Sequence, residues 1–321
     1  MASINTNVAA MTALRSLTST NSALEQTQNR ISTGLRVNTA ADNAAYWSIA
    51  TTLRSDSSSL STVQDALGLG AAFVDVAYTA MDEAKNIMTK IKDKLVAAAQ
   101  PGLDRAKIQT EITELQSQLK GIGDAASLQG QNWLSVDSSA AGYNASKQVV
   151  SSIARSGGTI NVQSISINTS SMIMFDSNAA VAGVGIIDAY RDGTTGVRYA
   201  TQPATPAATD FRLSDINIST LTDSTADQAT LDGFIKGADR AITEMTAGAT
   251  TLGAAKARID IQQSFVSSLK DSIESGISQL VDADMNAEST RLQALQVKQQ
   301  LGIQALSIAN SSSQSILSLF R

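Results

Sequence analysis

The run Leu60–Ala98, LSTVQDALGLGAAFVDVAYTAMDEAKNIMTKIKDKLVAA, decides the fold. Leu60, Val63, Leu67, Gly70, Val74, Ala77, Met81, Ala84, Met88, Ile91, Leu95 and Ala98 recur at spacings of three and four without a break, which is one face of a long α-helix. Small residues (Gly70, Ala77, Ala84, Ala98) stand among large ones, as where antiparallel helices approach closely. Gln100-Pro101-Gly102 should end the helix, because proline restricts its predecessor and glycine breaks the turn. A returning helix then carries Ile108, Ile112, Leu115, Leu119 and Ile122. Much farther along, Phe265, Val266, Leu269, Ile273, Ile277 and Leu280 supply a matching strip. The spacing therefore predicts one bundle, with Leu60, Val63, Leu67, Val74, Met81, Met88, Ile91, Leu95, Ile108, Ile112, Leu115, Leu269 and Ile273 in its core.

Outward from the bundle, both chain ends are helical in pattern and almost uncharged. Between Met1 and Leu24 the only charged side chain is Arg15; between Leu292 and Phe320 it is Lys298. Leu14, Leu17, Asn21, Leu24, Gln28, Ile31 and Leu35 follow a 3-4 seam, with Asn21 and Gln28 as polar positions that can fix register. Leu292, Leu295, Gln299, Gly302, Leu306, Ala309, Ser313, Ile316 and Phe320 keep the same spacing, and Val297, Leu301, Ala305 and Ile308 form a second stripe beside them. Two stripes on one helix ask for more than one neighbour. A surface helix normally carries many charges on its wet face, and unexplained apolar surface usually marks an interface. The expected subunit interface is Leu14, Leu17, Leu24, Ile31, Leu35, Leu292, Leu295, Leu301, Leu306, Ile316, Leu319 and Phe320.

Between about Ser135 and Asp223 helical periodicity fades. Ile160, Val162, Ile165 and Ile167 alternate as in strands, Ser156-Gly157-Gly158-Thr159 reads as a hairpin turn, and Gln202-Pro203-Ala204-Thr205-Pro206 as a loop. The fold class that follows is mainly α: a terminal coiled coil and a long helical bundle with an inserted β-rich outer domain. The expected divisions are 1–44, half of the coiled coil with a connector; 45–133, half of the bundle; 134–227, the insertion; 228–282, the other half of the bundle; and 283–321, connector and second half of the coiled coil.

Composition excludes most other classes. With no Cys and no His, disulfides, thiolate chemistry and the usual neutral-pH base are absent. Asp+Glu at 29 exceeds Lys+Arg at 24, and no dense basic run could replace counterions along nucleic acid. Polar residues interrupt every apolar run, so no membrane span is expected, and MASINTNVAAMTALRSL lacks the build of a secretory leader. Gly68-Leu69-Gly70 lacks the third glycine of a phosphate loop and reads as close helix packing. Asp282-Ala283-Asp284 lacks the rest of a calcium loop and reads as a solvated hinge. Asp82-Glu83 with Lys85 reads as an exposed ion pair. The glycosylation-like triplets at Asn144, Asn168 and Asn217 recur by chance in a Ser/Asn-rich stretch. No catalytic residue, metal site or cofactor is expected.

Three motifs in order carry a resemblance. Met1-Ala2-Ser3-Ile4-Asn5-Thr6-Asn7, then Ile31-Ser32-Thr33-Gly34-Leu35-Arg36-Val37-Asn38 with Ala41-Asp42-Asn43-Ala44-Ala45, and the ending Gln299-Gln300 through Ser315-Ile316-Leu317-Ser318-Leu319-Phe320-Arg321 resemble bacterial flagellin, of alphaproteobacterial type by Tyr46-Trp47. The resemblance covers about the first 135 and last 95 residues. It implies a subunit of the extracellular flagellar filament, the helical propeller of swimming motility. It implies export unfolded without a cleaved leader, a chaperone on the C-terminal segment, hook-associated and cap proteins as partners, and copies of itself or other flagellins in the polymer. A hook–filament junction protein or a filamentous adhesin with similar ends is the alternative. The segment Asn29 to Ala50 corresponds to the one that plant immune receptors sense; Ala41 replaces its usual Lys and Tyr46-Trp47-Ser48 a glycine-led trio, which weighs against that recognition. The helix from Lys90 to Gln100 matches the patch read by animal receptors, with Lys94 in place of an apolar residue and Glu111 keeping the acidic character.

Overall fold

The computed structural model describes residues 7–156, 159–178, 185–199, 203 and 205–319. Five helices dominate: α1 (Val8–Thr33), α2 (Ala44–Ala98), α3 (Arg105–Ala125), α4 (Thr225–Val281) and α5 (Met285–Leu319). Among the described residues the six strands are β1 (Ser127–Leu128), β2 (Gln131–Asn132), β3 (Ser135–Val136), β4 (Ser146–Ser156), β5 (Thr159–Asn168) and β6 (Phe175–Asp176). Two compact units result, Met1–Ser59 with Leu269–Arg321, and Leu60–Ser268. Helices α2 and α4 contribute to both.

In the Leu60–Ser268 unit every position of the 3-4 run from Leu60 to Ala98 is buried. The facing run lies on α4: Leu231, Phe234, Ala238, Ala241, Met245, Gly248, Leu252, Ala255 and Ile259, all buried. The two helices are antiparallel, tied by Lys92–Asp239 at 3.0 Å and by a Lys256–Asp75 ion pair, with Gly248 against Met81 and Met172. Helix α2 stops at Ala98, and Gly102 takes a positive φ of 83°. The buried Arg105 closes this end, donating Nε to the Ala98 carbonyl at 3.0 Å and a terminal nitrogen to Asp223 at 2.8 Å. Asp104 caps α3, whose Ile112 and Leu119 are buried and whose Ile108, Leu115 and Ile122 are half-buried.

The insertion is seated on these helices by close approaches. Strands β1 and β2 join through Gln129-Gly130, both at positive φ as a type I′ hairpin turn requires. Trp133 stacks on Phe73 at 5.6 Å. Strands β3 and β6 pair in parallel, and Phe175 lies so near Gly123 that a methyl there would fall 2.7 Å from its ring. Strands β4 and β5 pair antiparallel up to Ser156↔Thr159, with a bulge between Val150 and Ser152; Gly157 and Gly158 of the expected turn lie outside the described residues, as do Gln202 and Ala204 of the expected loop. Ile165 and Ile167 are buried, whereas Ile160 and Val162 are exposed. Side chains alternate along a strand, so the two pairs occupy opposite faces instead of one apolar face. Gly70 does mark close packing, but its neighbour is Val149 of β4, not a helix: any side chain at 70 would collide with the valine. The Asn-x-Ser triplets also gain a reason, since Asn144, Asn168 and Asn217 each accept the backbone N–H two residues on, at 2.8–2.9 Å, as Asx turns. Lys85 pairs with Asp82 as expected.

The other unit closes around the connectors. Gly34, at φ 72°, caps α1, and the chain then bridges Leu35 to Asp282, with Ala283 N–H on the Gly34 carbonyl at 2.9 Å. Val37, Ala50, Ile277 and Val281 form a small core beneath, flanked by Leu35, Leu53, Ile273 and Leu280. Asp284 caps α5 through the Asn286 N–H at 2.9 Å, so Asp282-Ala283-Asp284 is solvated yet pinned rather than a free hinge. Phe265, assigned to the α4 strip, is 54% exposed. The buried positions run Ile259 to Val266, and one residue off a helix seam is a rotation of about 100°.

Candidate self-assembly surface

Helices α1 and α5 lie antiparallel along their lengths. Asn7 accepts the Ala10 N–H as the α1 cap and donates its own amide to the Ala309 carbonyl at 2.9 Å. Gly302 faces Leu17, Gln299 donates to Asn21 at 2.9 Å, and Arg30 pairs with Glu288 at 2.9 Å. On α5 the inward residues are Leu292, Leu295, Gln299, Gly302, Leu306 and Ala309, the seam that the spacing predicts. On α1 the inward set is Ala13, Leu17, Thr20, Leu24, Thr27 and Ile31. This corrects the predicted register. Leu17, Leu24 and Ile31 hold their places, but Leu14 is 54% exposed and Gln28 sits on the exposed side, while Asn21, exposed at the seam's edge, keeps its cross-helix bond to Gln299. The alternate seam positions go to Ala13, Thr20 and Thr27, whose small side chains let α5 come close; Thr27 is the buried one. Leu35 lies past the end of α1 and packs on the Val37 cluster within the chain. The side chains of Ile316 and Leu319, and Phe320 altogether, lie outside the described residues.

A second surface remains on each helix after this pairing. Val8, Met11 and Leu14 make a row on α1; Val297, Leu301 and Ile308 make one on α5, with Ile303 on the other flank. Leu301 is 57% exposed, and along the chain Arg15 follows Leu14 and Lys298 follows Val297. The predicted second stripe therefore exists as open apolar surface. Met11 and Ile303 add to it without fitting any 3-4 count.

Two family profiles divide the chain as the fold does. The bacterial flagellin N-terminal helical region matches residues 4–139, and the bacterial flagellin C-terminal helical region matches residues 235–320. The chain belongs to the bacterial flagellin family. Flagellin C of Rhizobium meliloti (strain 1021) is 48% identical over 326 aligned residues, Flagellin A of Rhizobium meliloti 43% over 401, and a flagellin of Brucella melitensis biotype 1 44% over 322; each alignment covers all of both chains. The stretch between the two profiles holds β4, β5, β6 and the loops to α4. The resemblance to alphaproteobacterial flagellins thus holds over the full length.

In this flagellin the predicted bundle residues fall in two places. Leu60 to Leu95, with Ile108, Ile112 and Leu115, line the Leu60–Ser268 unit, whereas Leu269 is half-buried and Ile273 packs on the Val37 cluster of the other unit. The α4 run Leu231–Ile259 was missed, although the same 3-4 count finds it. Also missed was Arg191, fully buried and bidentate to Glu244 at 2.9 and 3.3 Å. No sequence period marks such a pair. Ala41 and the Tyr46-Trp47 pair are exposed, and Arg36 lies 6.0 Å over the Tyr46 ring. Lys94 and Glu111 form an ion pair. Among the described residues no three metal-ligating side chains converge, and no helix is long and apolar enough to cross a membrane.

Proposed function

We propose that this flagellin is a non-catalytic structural subunit that polymerises, outside the cell, into the flagellar filament used for swimming. The observation that carries the mechanism is the pair of nearly uncharged helices α1 and α5, which satisfy one seam between themselves and leave Val297, Leu301, Ile303 and Ile308 open. Leu17, Leu24, Ile31, Leu292, Leu295 and Leu306 form the intramolecular seam; Leu14 and Leu301 belong to the surface that neighbouring subunits cover. The α5 segment is also the docking site for an export chaperone, and the assembled ends meet hook-associated and cap proteins. Residues 1–44 and 283–321 form the filament core, 45–133 and 228–282 the bundle, and 134–227 the outward part. Identity along the whole chain gives no support to a junction protein or an adhesin.

Burying each leucine contributes about 1.5–3 kcal/mol, against roughly 1–2 kcal/mol for ordering a residue's backbone. The gain per residue is small, so assembly is cooperative and truncated ends abolish it. Electron microscopy of the purified protein, depolymerised by heat and allowed to reassemble, should show long helical filaments. Short caps on another filament, or no polymer at all, would refute the reading.

A further inference from the structure

The insertion contains a carboxyl pair, Asp176 buried and Asp188 half-buried, away from the proposed assembly surface on α1 and α5. Asp176 of β6, 6% exposed, donates its backbone N–H to Oδ2 of Asp188 at 2.6 Å. Its own Oδ1 accepts the N–H groups of Ser138 and Asn178 at 2.9 and 3.1 Å. The remaining oxygens, Asp176 Oδ2 and Asp188 Oδ1, are buried and meet no donor. The Tyr143 hydroxyl is buried nearby, also without a partner, and burial and then the Asp176 charge raise it above the ordinary phenol range. Asp188 borders a cavity of about 510 Å³ beneath α3, lined also by Leu119, Phe175 and Ile187, which gives a proton a way in.

We propose that Asp188 and Asp176 form a proton-linked latch, which ties β6 to the turn at residues 185–189 and loosens as mildly acidic surroundings turn neutral. A second negative charge beside Asp176 has to be held in a site that supplies too few donors for it. The charged groups around it do not cure this. Lys120 and Asp124 line the cavity from α3 and Asp215 from the 3-10 turn Leu213–Asp215, while Arg212 sits 4.1 Å over the Tyr190 ring. Burial pushes Asp188 up, the Asp176 N–H pulls it down, the Asp176 charge pushes it up again, and its own backbone N–H and then Arg212 pull it down; the result is about 6.

The closed latch therefore holds this proton more tightly than an open one, whose carboxyl titrates near 3.9. Closure gains as pH falls through about 6, the gain is complete below about 4, and it is lost as pH rises past about 6. From about pH 7.5 to about pH 5 the closed-to-open ratio should rise about tenfold.

The test is carbon-13 NMR of aspartate side chains in the full-length monomer, with the Asp188 signal identified by its loss in Asp188→Asn, alongside hydrogen exchange. The wild-type signal should inflect near about 6. Protection of the Phe175, Asp176 and Ile187 amides, corrected for the intrinsic pH dependence of exchange, should rise about tenfold toward acid, and in Asp188→Asn it should stay flat. Titration of Asp188 near about 4, or a wild-type exchange slope in the variant, overturns the latch. If the variant does not fold, wild-type exchange decides: protection of the Phe175, Asp176 and Ile187 amides that does not rise toward acid, once corrected for intrinsic exchange, overturns the latch. Filament formation plays no part in the readout, so this result and the assembly reading stand or fall separately.

Discussion

Replacing Leu301 by Ala separates assembly from folding. The side chain is 57% exposed in the single chain and lies on the α5 row turned away from α1. Full burial of a leucine is worth about 1.5–3 kcal/mol, so the share still to be gained on contact with a neighbour is about 1–2 kcal/mol. Truncation to alanine forfeits most of that. At 1.4 kcal/mol per factor of ten, the critical concentration for polymerisation should rise about 5- to 30-fold. Alanine is at least as good a helix former as leucine, and a surface change away from packed features stays within about 0.5 kcal/mol. The monomer's circular dichroism and urea midpoint should therefore be those of the wild type. Sedimentation of reassembled filaments over a dilution series measures the critical concentration. An unchanged value, with filaments of normal form, would show that this row stays wet in the polymer and would remove the basis of the proposed surface.

Leu306→Asp places a charge in the α1–α5 seam and should stop filament formation while the α2–α4 bundle stays helical by circular dichroism; filaments of normal yield would contradict the seam. Gly70→Ala drives a methyl into Val149 and should cost about 1–3 kcal/mol in urea unfolding, with Gly70→Ala/Val149→Ala recovering most of it; a harmless single change would mean the hairpin is not seated there. Glu244→Ala leaves the buried Arg191 guanidinium without its carboxylate and should cost about 3–5 kcal/mol on the same assay. Asp42 accepts the Thr39 and Asn38 N–H groups and the Thr39 hydroxyl, chiefly through Thr39, which holds its carboxyl below the usual range. The connector turn is thus held above about pH 4 and freed as pH falls through the lowered value, so protection of the Asn38 and Thr39 amides, corrected for the intrinsic pH dependence of exchange, should fall in acid, and Asp42→Ala should show the same loss of protection at neutral pH.

What the sequence revealed depended on how each residue is held. The α2 run was legible because a helix buried on one face throughout must repeat its apolar residues at 3-4 spacing, and Gln100-Pro101-Gly102 ends it by local sterics. The α1 register was legible only to half its positions. Large apolar residues drew the count to Leu14, Asn21 and Gln28, whereas close approach to α5 selects Ala13, Thr20 and Thr27. Gly70 announced a close contact without naming its partner, because the missing side chain says how near a neighbour comes and nothing about what it is. In β5 a shift of parity between Val162 and Ile165 hid which face was buried. Arg191 and Glu244, like Asp176 and Asp188, leave no trace at all in the pattern, since the residues in each pair meet through tertiary folding and obey no period.

The neutral polar residues of the terminal helices suit the proposed assembly surface, which is wet in the monomer and would be dry in the polymer. A lysine or glutamate there would oppose burial, and an all-apolar helix would aggregate before reaching the filament tip. Threonine and serine avoid both outcomes by bonding to their own helix. Thr12 donates to the Val8 carbonyl, Thr18 to Leu14 and Thr20 to Ser16, each at 2.9 Å, Ser22 to Thr18 at 3.2 Å and Thr33 to Asn29 at 2.8 Å. Leaving a hydroxyl unpaired in a dry interface costs about 1–3 kcal/mol, but these donors already have acceptors one turn back. Water can solvate the free lone pairs in the monomer, and its removal by a neighbour leaves no donor stranded. The scarcity of charge and the abundance of hydroxyls on α1 therefore act together under the proposed assembly: they keep the surface around Leu14 soluble in the monomer without making its burial by a neighbour costly.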